Sequence, residues 1–303
     1  MMRQGFWGLF IGCLVLGQQL QAQAFLKAEY IGSSGFRDEN NEKTGGTGSA
    51  KVIRGGVNIP FAIRMNEYNR PRAWSIGIGG TYTSMDNKGL SEYIKLKEIV
   101  NLQIALSHIR PLNKKISLMA SLGAGLYMDD RNLSKASFSN VLGSGGAIII
   151  WHLRPNLDLG GGLALSTTFG YPMVFPAIYL NWRLEGRYEV NVSMINALEL
   201  SAGMQINKYF TLKLVAEMNG SLALTEQEGK KKMFTHQYII TGLQPEFKIN
   251  KSLSIPVTIG LTATRSAYYQ DRSLKAFFKD MDKDYDPYFT PSFYASGAIK
   301  YIF

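Results

Sequence analysis

The sequence predicts an all-β protein, an antiparallel transmembrane up-and-down β-barrel of about 14 strands. Three observations support this fold class. Several segments alternate apolar residues with small or polar ones over the about 9–11 residues that a membrane-crossing strand needs. Short turns alternate along the chain with long polar connections, and the last strand ends on an aromatic residue, Phe303. A soluble β-sandwich is the competing fold, but soluble strands average only about 5–6 residues.

The first 22 residues have the features of a secretory signal peptide. Arg3 precedes an apolar run over 6–16, and Ala22-Gln23-Ala24 provides a small-residue cleavage site. We expect cleavage after Ala22 or Ala24, which leaves 23–303 as a single outer-membrane barrel domain. A membrane anchor is the alternative, but the run is shorter than the about 20 residues of a spanning helix.

The single cysteine lies inside this leader. Cys13 follows Phe10-Ile11-Gly12, so a lipoprotein signal is a second alternative, although the apolar stretch before the cysteine would then be very short. If the signal peptide is removed, the mature chain contains no thiol. Disulfides, thiolate metal sites and cysteine nucleophiles are then excluded.

Period-2 alternation is clearest in five long segments. Their alternating residues place apolar side chains on one face and small or polar ones on the other, as expected when one face meets lipid. Tight turns and longer polar connections lie between the predicted strands. The alternating segments are 100–107, 116–126, 210–219, 238–249 and 253–264. The tight turns are 110–114, 154–156, 184–187, 207–209 and 250–252, and the long connections are 36–48, 85–91, 129–139, 225–233 and 266–290.

The strand count depends on one stretch. Residues 188–206 are interpreted as two short strands joined near Ile195-Asn196-Ala197. This interpretation gives about 14 strands, an even number that leaves both termini in the periplasm and the long loops outside the cell. Reading the stretch as one strand would break the even number, and twelve strands is the alternative count.

Aromatic residues recur where the apolar stripes end. The predicted interface aromatics are Trp74, Trp182, Tyr301 and Phe303. Such rings prefer the headgroup zone of a membrane, although aromatic residues also favour strands in general. The recurrence at strand ends favours an interfacial girdle, with outer-membrane lipid as the partner.

The cleavage site, the array of hairpins and the terminal Tyr301-Ile302-Phe303 together resemble uncharacterised, porin-like outer-membrane β-barrel families of Gram-negative bacteria. The resemblance covers essentially the whole mature chain. It implies a barrel in the cell outer membrane, inserted by the barrel-assembly machinery, which reads the C-terminal strand. It transfers no catalytic or binding residue, because the pattern contains none.

The residues predicted to face inwards carry charges of both signs. A lumen of this kind holds water, so we expect a pore or uptake channel for small polar solutes. A closed structural barrel without transport is the alternative, because such charges can pair across a narrow lumen. A carrier of long apolar ligands would require a more apolar interior. The pore-lining candidates are Arg54, Arg183, Glu199, Lys213, Glu217, Glu246 and Lys248.

Other functional classes find little support. The net charge is +10, but lysines and arginines are dispersed among turns and loops, so no nucleic-acid partner is expected. An outer-membrane lipid-modifying enzyme is a further alternative. Barrel lipases carry a His-x-Ser arrangement, which His108, His152 and His236 all lack. Only His236, near an outer loop, merits a test, and no cofactor is implied.

The longest loop contains candidates for a gate. Leu274, Phe277, Phe278 and Met281 recur at helical spacing, so a short amphipathic helix followed by acidic residues from Asp280 onwards could constrict the barrel. Alternating aspartates from Asp280 to Asp286 have the spacing of a calcium loop. Tyr285 and Pro291 stand where such a loop needs glycine and glutamate, so no metal site is expected.

Overall fold

The computed structural model describes residues 23–68, 70–168, 170, 172–194, 198–227, 229–273, 275–276 and 286–303. Nearly all of them lie in strands. In chain order the strands are β1 (Gln23–Arg37), β2 (Lys43–Met65), β3 (Pro71–Lys88), β4 (Glu98–Pro111), β5 (Ile116–Met128), β6 (Val141–Arg154), β7 (Leu157–Ser166), β8 (Met173–Leu184), β9 (Tyr188–Met194), β10 (Leu198–Asn207), β11 (Phe210–Gln227), β12 (Lys230–Lys248), β13 (Leu253–Asp271), β14 (Tyr288–Phe289) and β15 (Ser292–Ile302).

The strands form one closed antiparallel ring. Each strand from β1 to β13 pairs with the next, and β15 closes the ring by pairing with both β13 and β1. The two residues of β14 also pair with β13 and β1, beyond the end of β15. β14 and β15 therefore share one position, and the ring has 14 positions. The predicted barrel of about 14 strands is confirmed, including the separate β9 and β10. Their predicted joint at 195–197 lies outside the described residues.

Helical structure is minor. Two short 3-10 turns, Leu133–Lys135 and Phe138–Asn140, lie between β5 and β6. Within the described part of the chain, no helix is long and apolar enough to cross a membrane.

The outer surface of the ring is apolar. Large aliphatic side chains point outwards on nearly every strand, and many remain about half exposed because no protein covers them. A closed ring pairs the backbone groups of its strands and has no free edge, which is the condition for β-strands to cross lipid. Examples of these residues are Ile53, Ile78, Ile104, Leu122, Leu163, Ile178, Leu214, Leu243, Ile259 and Ile299.

Neighbouring strands differ greatly in length, and this difference shapes the interior. β9 and β10 contain 7 and 10 residues, whereas β11 and β12 contain 18 and 19. No described residue of β10 pairs with β11 beyond Glu217. The far half of β11 and its partner on β12, residues 218–227 and 230–240, therefore form a hairpin with one free edge. We call it the inner hairpin.

Candidate functional site: a lumen divided by the inner hairpin

The free edge of the inner hairpin lies against the opposite wall of the barrel. Asn101 on β4 donates from Nδ2 to the Leu222 carbonyl oxygen at 2.5 Å and accepts from the Leu222 N–H at 3.1 Å. This side chain therefore supplies the two hydrogen bonds that a neighbouring strand would supply. β4 and β11 lie half a turn of the ring apart, so the hairpin spans the lumen.

Two further contacts fix the same edge. The hydroxyl oxygens of Thr83 on β3 and Ser221 are 3.1 Å apart, and Asn140 donates to the Leu224 carbonyl oxygen at 3.1 Å. Because the exposed edge of a strand carries unpaired backbone groups, these polar side chains are the means by which it can be buried.

Both faces of the inner hairpin are covered by apolar side chains. Leu222, Leu224 and Met233 pack in a cluster with Tyr127 and Leu142. Residues on the other face belong to the largest apolar cluster, which also draws on β1 to β4, β13, β14, β15 and the 89–97 loop. The hairpin members of that cluster are Ala223, Phe234, Tyr238 and Ile240. The extracellular half of the lumen is therefore filled with protein.

We call the inner hairpin and the apolar side chains on its two faces the apolar seal. On the periplasmic side of this seal, charged side chains meet across the lumen. Arg54 pairs with the buried Glu29 at 2.6 Å and donates to Asn219 and to the Tyr238 hydroxyl, both at 2.7 Å. Lys27 on β1 pairs with Glu217 on β11 at 2.8 Å. The Arg54–Glu29 pair joins the neighbouring strands β2 and β1, whereas the other bonds join strands four or five positions apart in the ring.

A second group of charges lies closer to the tight turns of β9 to β12. The ammonium nitrogen of Lys213 is 2.7 Å from a Glu246 oxygen and 3.5 Å from a Glu189 oxygen. Lys248 lies 3.8 Å from Glu189. The charges in this part of the lumen therefore alternate in sign and largely neutralise one another.

The predicted pore-lining residues fall into two sets. Those in the ion pairs described above are Arg54, Lys213, Glu217, Glu246 and Lys248. Arg183 and Glu199 are exposed, on the inward faces of β8 and β10, opposite Asn191 and Glu217 in the strand register. Their role in conduction stays a prediction. The gating candidates Leu274, Phe277, Phe278 and Asp280 lie outside the described residues.

The predicted interface aromatics lie near the rim formed by the tight turns. Trp74 stacks on His108 with ring centroids 4.2 Å apart, and Tyr301 stacks on Phe303 at 5.7 Å. Trp74, Tyr301 and Phe303 are exposed, and Trp182 is half-buried. Their contact with lipid headgroups stays a prediction.

The same rim contains a row of polar residues that sequence reasoning missed. Ser117 Oγ lies 2.8 Å from His152 Nε2, and His152 Nδ1 lies 2.6 Å from Asp158 Oδ1. The three side chains come from β5, β6 and β7. Strand register creates this row, so the residues next to His152 in sequence give no sign of it. His236, the histidine selected for a test, is instead fully buried against Arg265.

Residues 18–302 match the family described as domain of unknown function DUF6268. The chain belongs to this family. No curated protein matches it in sequence. With its closed ring and apolar exterior, the family member described here is an outer-membrane β-barrel, as the sequence predicted.

Solved outer-membrane barrels are similar in fold at very low identity. The COG4313 outer membrane channel from Pseudomonas putida F1 is 8% identical, with a TM-score of 0.45, over 97% of this chain and 98% of that one. The translocator domain of the autotransporter NalP from Neisseria meningitidis is 10% identical, with a TM-score of 0.36, over 95% and 91%. The toluene transporter TodX from Pseudomonas putida is 8% identical, with a TM-score of 0.36, over 93% and 90%.

Proposed function

We propose that this barrel is a gated outer-membrane channel for small polar solutes, and that the inner hairpin is its gate. The observation that carries this proposal is the free edge of β11. It is held across the lumen by side chains of Thr83, Asn101 and Asn140, not by a continuous strand ladder. Such contacts can be exchanged for water when the hairpin moves outwards.

A β-bulge lies where the gate would need a hinge. The register between β12 and β13 shifts between Ile239 and Ile240, close to the level at which β10 stops supporting β11. The extra residue, Ala263, lies on β13, and a bulge bends the strand that carries it. β12 stays paired with β13 on both sides of the bulge, so a bend of β13 there would move the inner hairpin with it. Bending here would carry the inner hairpin away from β4 while the lower parts of β11 and β12 stay in the wall.

The lower lumen suits small polar solutes. Its charges have both signs and are paired, so they offer hydrogen bonds without a strong single-sign field. Across from them, Ser121, Gly123, Gly160 and Gly162 face inwards and take up little space. On the β5 to β8 side, Met119, Ile148 and Ile150 belong to a buried apolar cluster on the same inward strand faces. A solute entering from the periplasmic side would therefore meet its polar contacts on the β9 to β12 side.

A reversible cross-link tests the gate in planar bilayers. The Thr83 and Ser221 hydroxyls are 3.1 Å apart, and residues 23–303 contain no cysteine, so Thr83→Cys combined with Ser221→Cys should form a single disulfide across the lumen. We expect rare, discrete openings from the unmodified barrel, silence from the oxidised double variant and renewed openings after reduction. Thr83→Cys alone is the matched control.

The closed structural barrel is the outcome that would overturn this function. If the inserted protein stays silent, and Asn101→Ala combined with Asn140→Ala stays silent as well, the hairpin is a permanent plug. Far-UV circular dichroism and the heat-dependent mobility of the same samples show that the barrel is folded.

A hydrolase is the second candidate, favoured by the row of Ser117, His152 and Asp158. Its distances and order fit a nucleophile, a base and an orienting carboxylate. Attack on an ester would join the Ser117 oxygen to the acyl carbon, pass its proton to His152 and expel an alcohol that takes that proton up. It ranks second because Ser117 is buried, with 2% of its surface exposed.

A fluorophosphonate probe decides this second candidate. Labelling would form a bond between the Ser117 oxygen and phosphorus, release fluoride and transfer the hydroxyl proton to His152. A hydrolase would be supported if labelling disappears in Ser117→Ala and in His152→Ala. Labelling should persist in Ser121→Ala, a control on the same strand face. Absence of labelling in the folded barrel removes it.

A further inference from the structure

Arg265 is a fully buried cation without a carboxylate partner. It has no exposed surface, and no described acidic side chain forms an ion pair with it. Its Nε donates to His236 Nε2 at 3.0 Å, its Nη1 donates to the Gly48 carbonyl oxygen at 3.0 Å, and its guanidinium lies 4.0 Å from the centre of the Phe289 ring. These neutral partners disperse the charge without cancelling it.

One nitrogen of this guanidinium has no partner at all. Within the described residues, Arg265 Nη2 is buried and makes no hydrogen bond. His236 has the same deficit at Nδ1. Because Arg265 can only donate, His236 Nε2 must accept, and the imidazole proton therefore resides on Nδ1. Two buried N–H donors, Arg265 Nη2 and His236 Nδ1, are therefore left without an acceptor on two side chains that are hydrogen-bonded to each other.

Further unpaired polar atoms lie beside them. Ser34 and Asn87 flank Gly48 in the strand register, and Ser34 Oγ and Asn87 Oδ1 are buried without partners. The Asn87 amide can be turned so that its nitrogen takes the place of the unpaired oxygen, because the two atoms are interchangeable in shape. Seven buried side-chain atoms are unpaired in the described chain, and two of them, in Glu29 and Arg54, form an ion pair together. Four of the other five are the atoms named here: Ser34 Oγ, Asn87 Oδ1, His236 Nδ1 and Arg265 Nη2. We call these four side chains the Arg265 cluster.

The site is placed on the gate itself. His236 belongs to the inner hairpin and Arg265 to the neighbouring β13, while Gly48 and Asn87 come from β2 and β3. A side chain at Gly48 would collide with Asn87 and with the Phe289 ring that lies against the Arg265 guanidinium, so glycine is needed for these neighbours to keep their places. Leu90 and Ile94 from the 89–97 loop belong to the apolar cluster around it.

We propose that Arg265 binds a small monovalent inorganic anion, such as chloride, behind the inner hairpin. The anion would accept from Arg265 Nη2, with Ser34 and Asn87 as further donors. A halide accepts hydrogen bonds from any direction and supplies the missing negative charge, whereas a water molecule in its place would satisfy the donors and leave the charge uncompensated. His236 links this anion to the hairpin through its bond to Arg265.

Bromide provides the direct test. Crystals of the full barrel grown in bromide should show an anomalous peak within about 3.5 Å of Arg265 Nη2, the distance of a long charge-assisted contact. In solution, the unfolding temperature should rise when gluconate is replaced by chloride at constant ionic strength. Arg265→Gln should lose this response, and Arg272→Gln, whose arginine bonds to the Thr168 carbonyl outside the cluster, should keep it.

The outcomes separate clearly. A peak at Arg265 and a chloride response confined to proteins with Arg265 would establish the anion site. No bromide at Arg265, together with equal unfolding temperatures of the unmodified protein in chloride and gluconate, would overturn it in favour of water. Neither measurement requires Arg265→Gln to fold, and neither depends on conduction, so failure here leaves the gated channel to be judged separately.

Discussion

The extracellular and periplasmic halves of the lumen are closed by different forces. In the extracellular half, apolar side chains cover both faces of the inner hairpin, and uncharged polar groups hold its edge. In the periplasmic half, lysines and glutamates of β9, β11 and β12 meet as ion pairs, and an apolar cluster lies on the facing side, on β5 to β8. Apolar burial is not screened by salt, whereas partly exposed ion pairs weaken as salt rises. The two halves can therefore be perturbed independently, which suits a gate above a polar chamber.

The largest effect is expected at the apolar seal. Leu222→Ala should lower the free energy of unfolding by about 2–5 kcal/mol, because it removes a buried side chain and leaves a cavity between the hairpin and the wall. Urea titration of the refolded barrel measures the change. Leu133→Ala, at an exposed loop position, is the control and should change stability little. Equal effects at the two positions would show that the hairpin is not packed inside the lumen.

A smaller effect is expected at the edge of the hairpin. Asn101→Ala leaves the Leu222 N–H and carbonyl without partners, and should lower the free energy of unfolding by about 1–3 kcal/mol, the cost of one buried group without a partner when the other regains water. If the hairpin instead moves out to reach water, the Leu222 amide should exchange with deuterium faster. Gln103→Ala, whose side chain bonds to the Tyr127 hydroxyl, is the matched control on β4. Unchanged exchange at Leu222 combined with unchanged stability would contradict the role of Asn101.

The sequence alone predicts the strands that form the wall of this barrel, but not how side chains and the inner hairpin fill its interior. Alternation and turn spacing depend on local chemistry, so they predicted the strand number, including the short β9 and β10. The long connection predicted at 225–233 was wrong, because β11 continues to Gln227 and β12 begins at Lys230. Alternation and turn spacing did not predict that the outward face of β11 becomes an inward contact at Leu222 and Leu224. That change follows from unequal strand lengths and from the register between β10 and β11.

The same limit explains the contacts that were missed. Asn101 and Leu222 are far apart in sequence and on opposite strands of the ring, and Arg265 meets Gly48 in the same way. Ser117, His152 and Asp158 become neighbours only when three strands are in register. By contrast, the polar character of the lumen was predictable, because each charged residue occupies the inward phase of its own strand.

The smallest effect, and the one that most directly separates the two halves, is expected for the pair of Lys213 and Glu246. A double-mutant cycle of Lys213→Met and Glu246→Gln should give a coupling energy of about 0.5–3 kcal/mol at low salt. Because the pair is partly exposed, the coupling should shrink in 1 M salt, where the screening length is about 3 Å. The cost of Leu222→Ala should stay constant across the same titration. A coupling that ignores salt would mean that the lower lumen is as dry as the seal, and solute passage through it would then need more than movement of the hairpin.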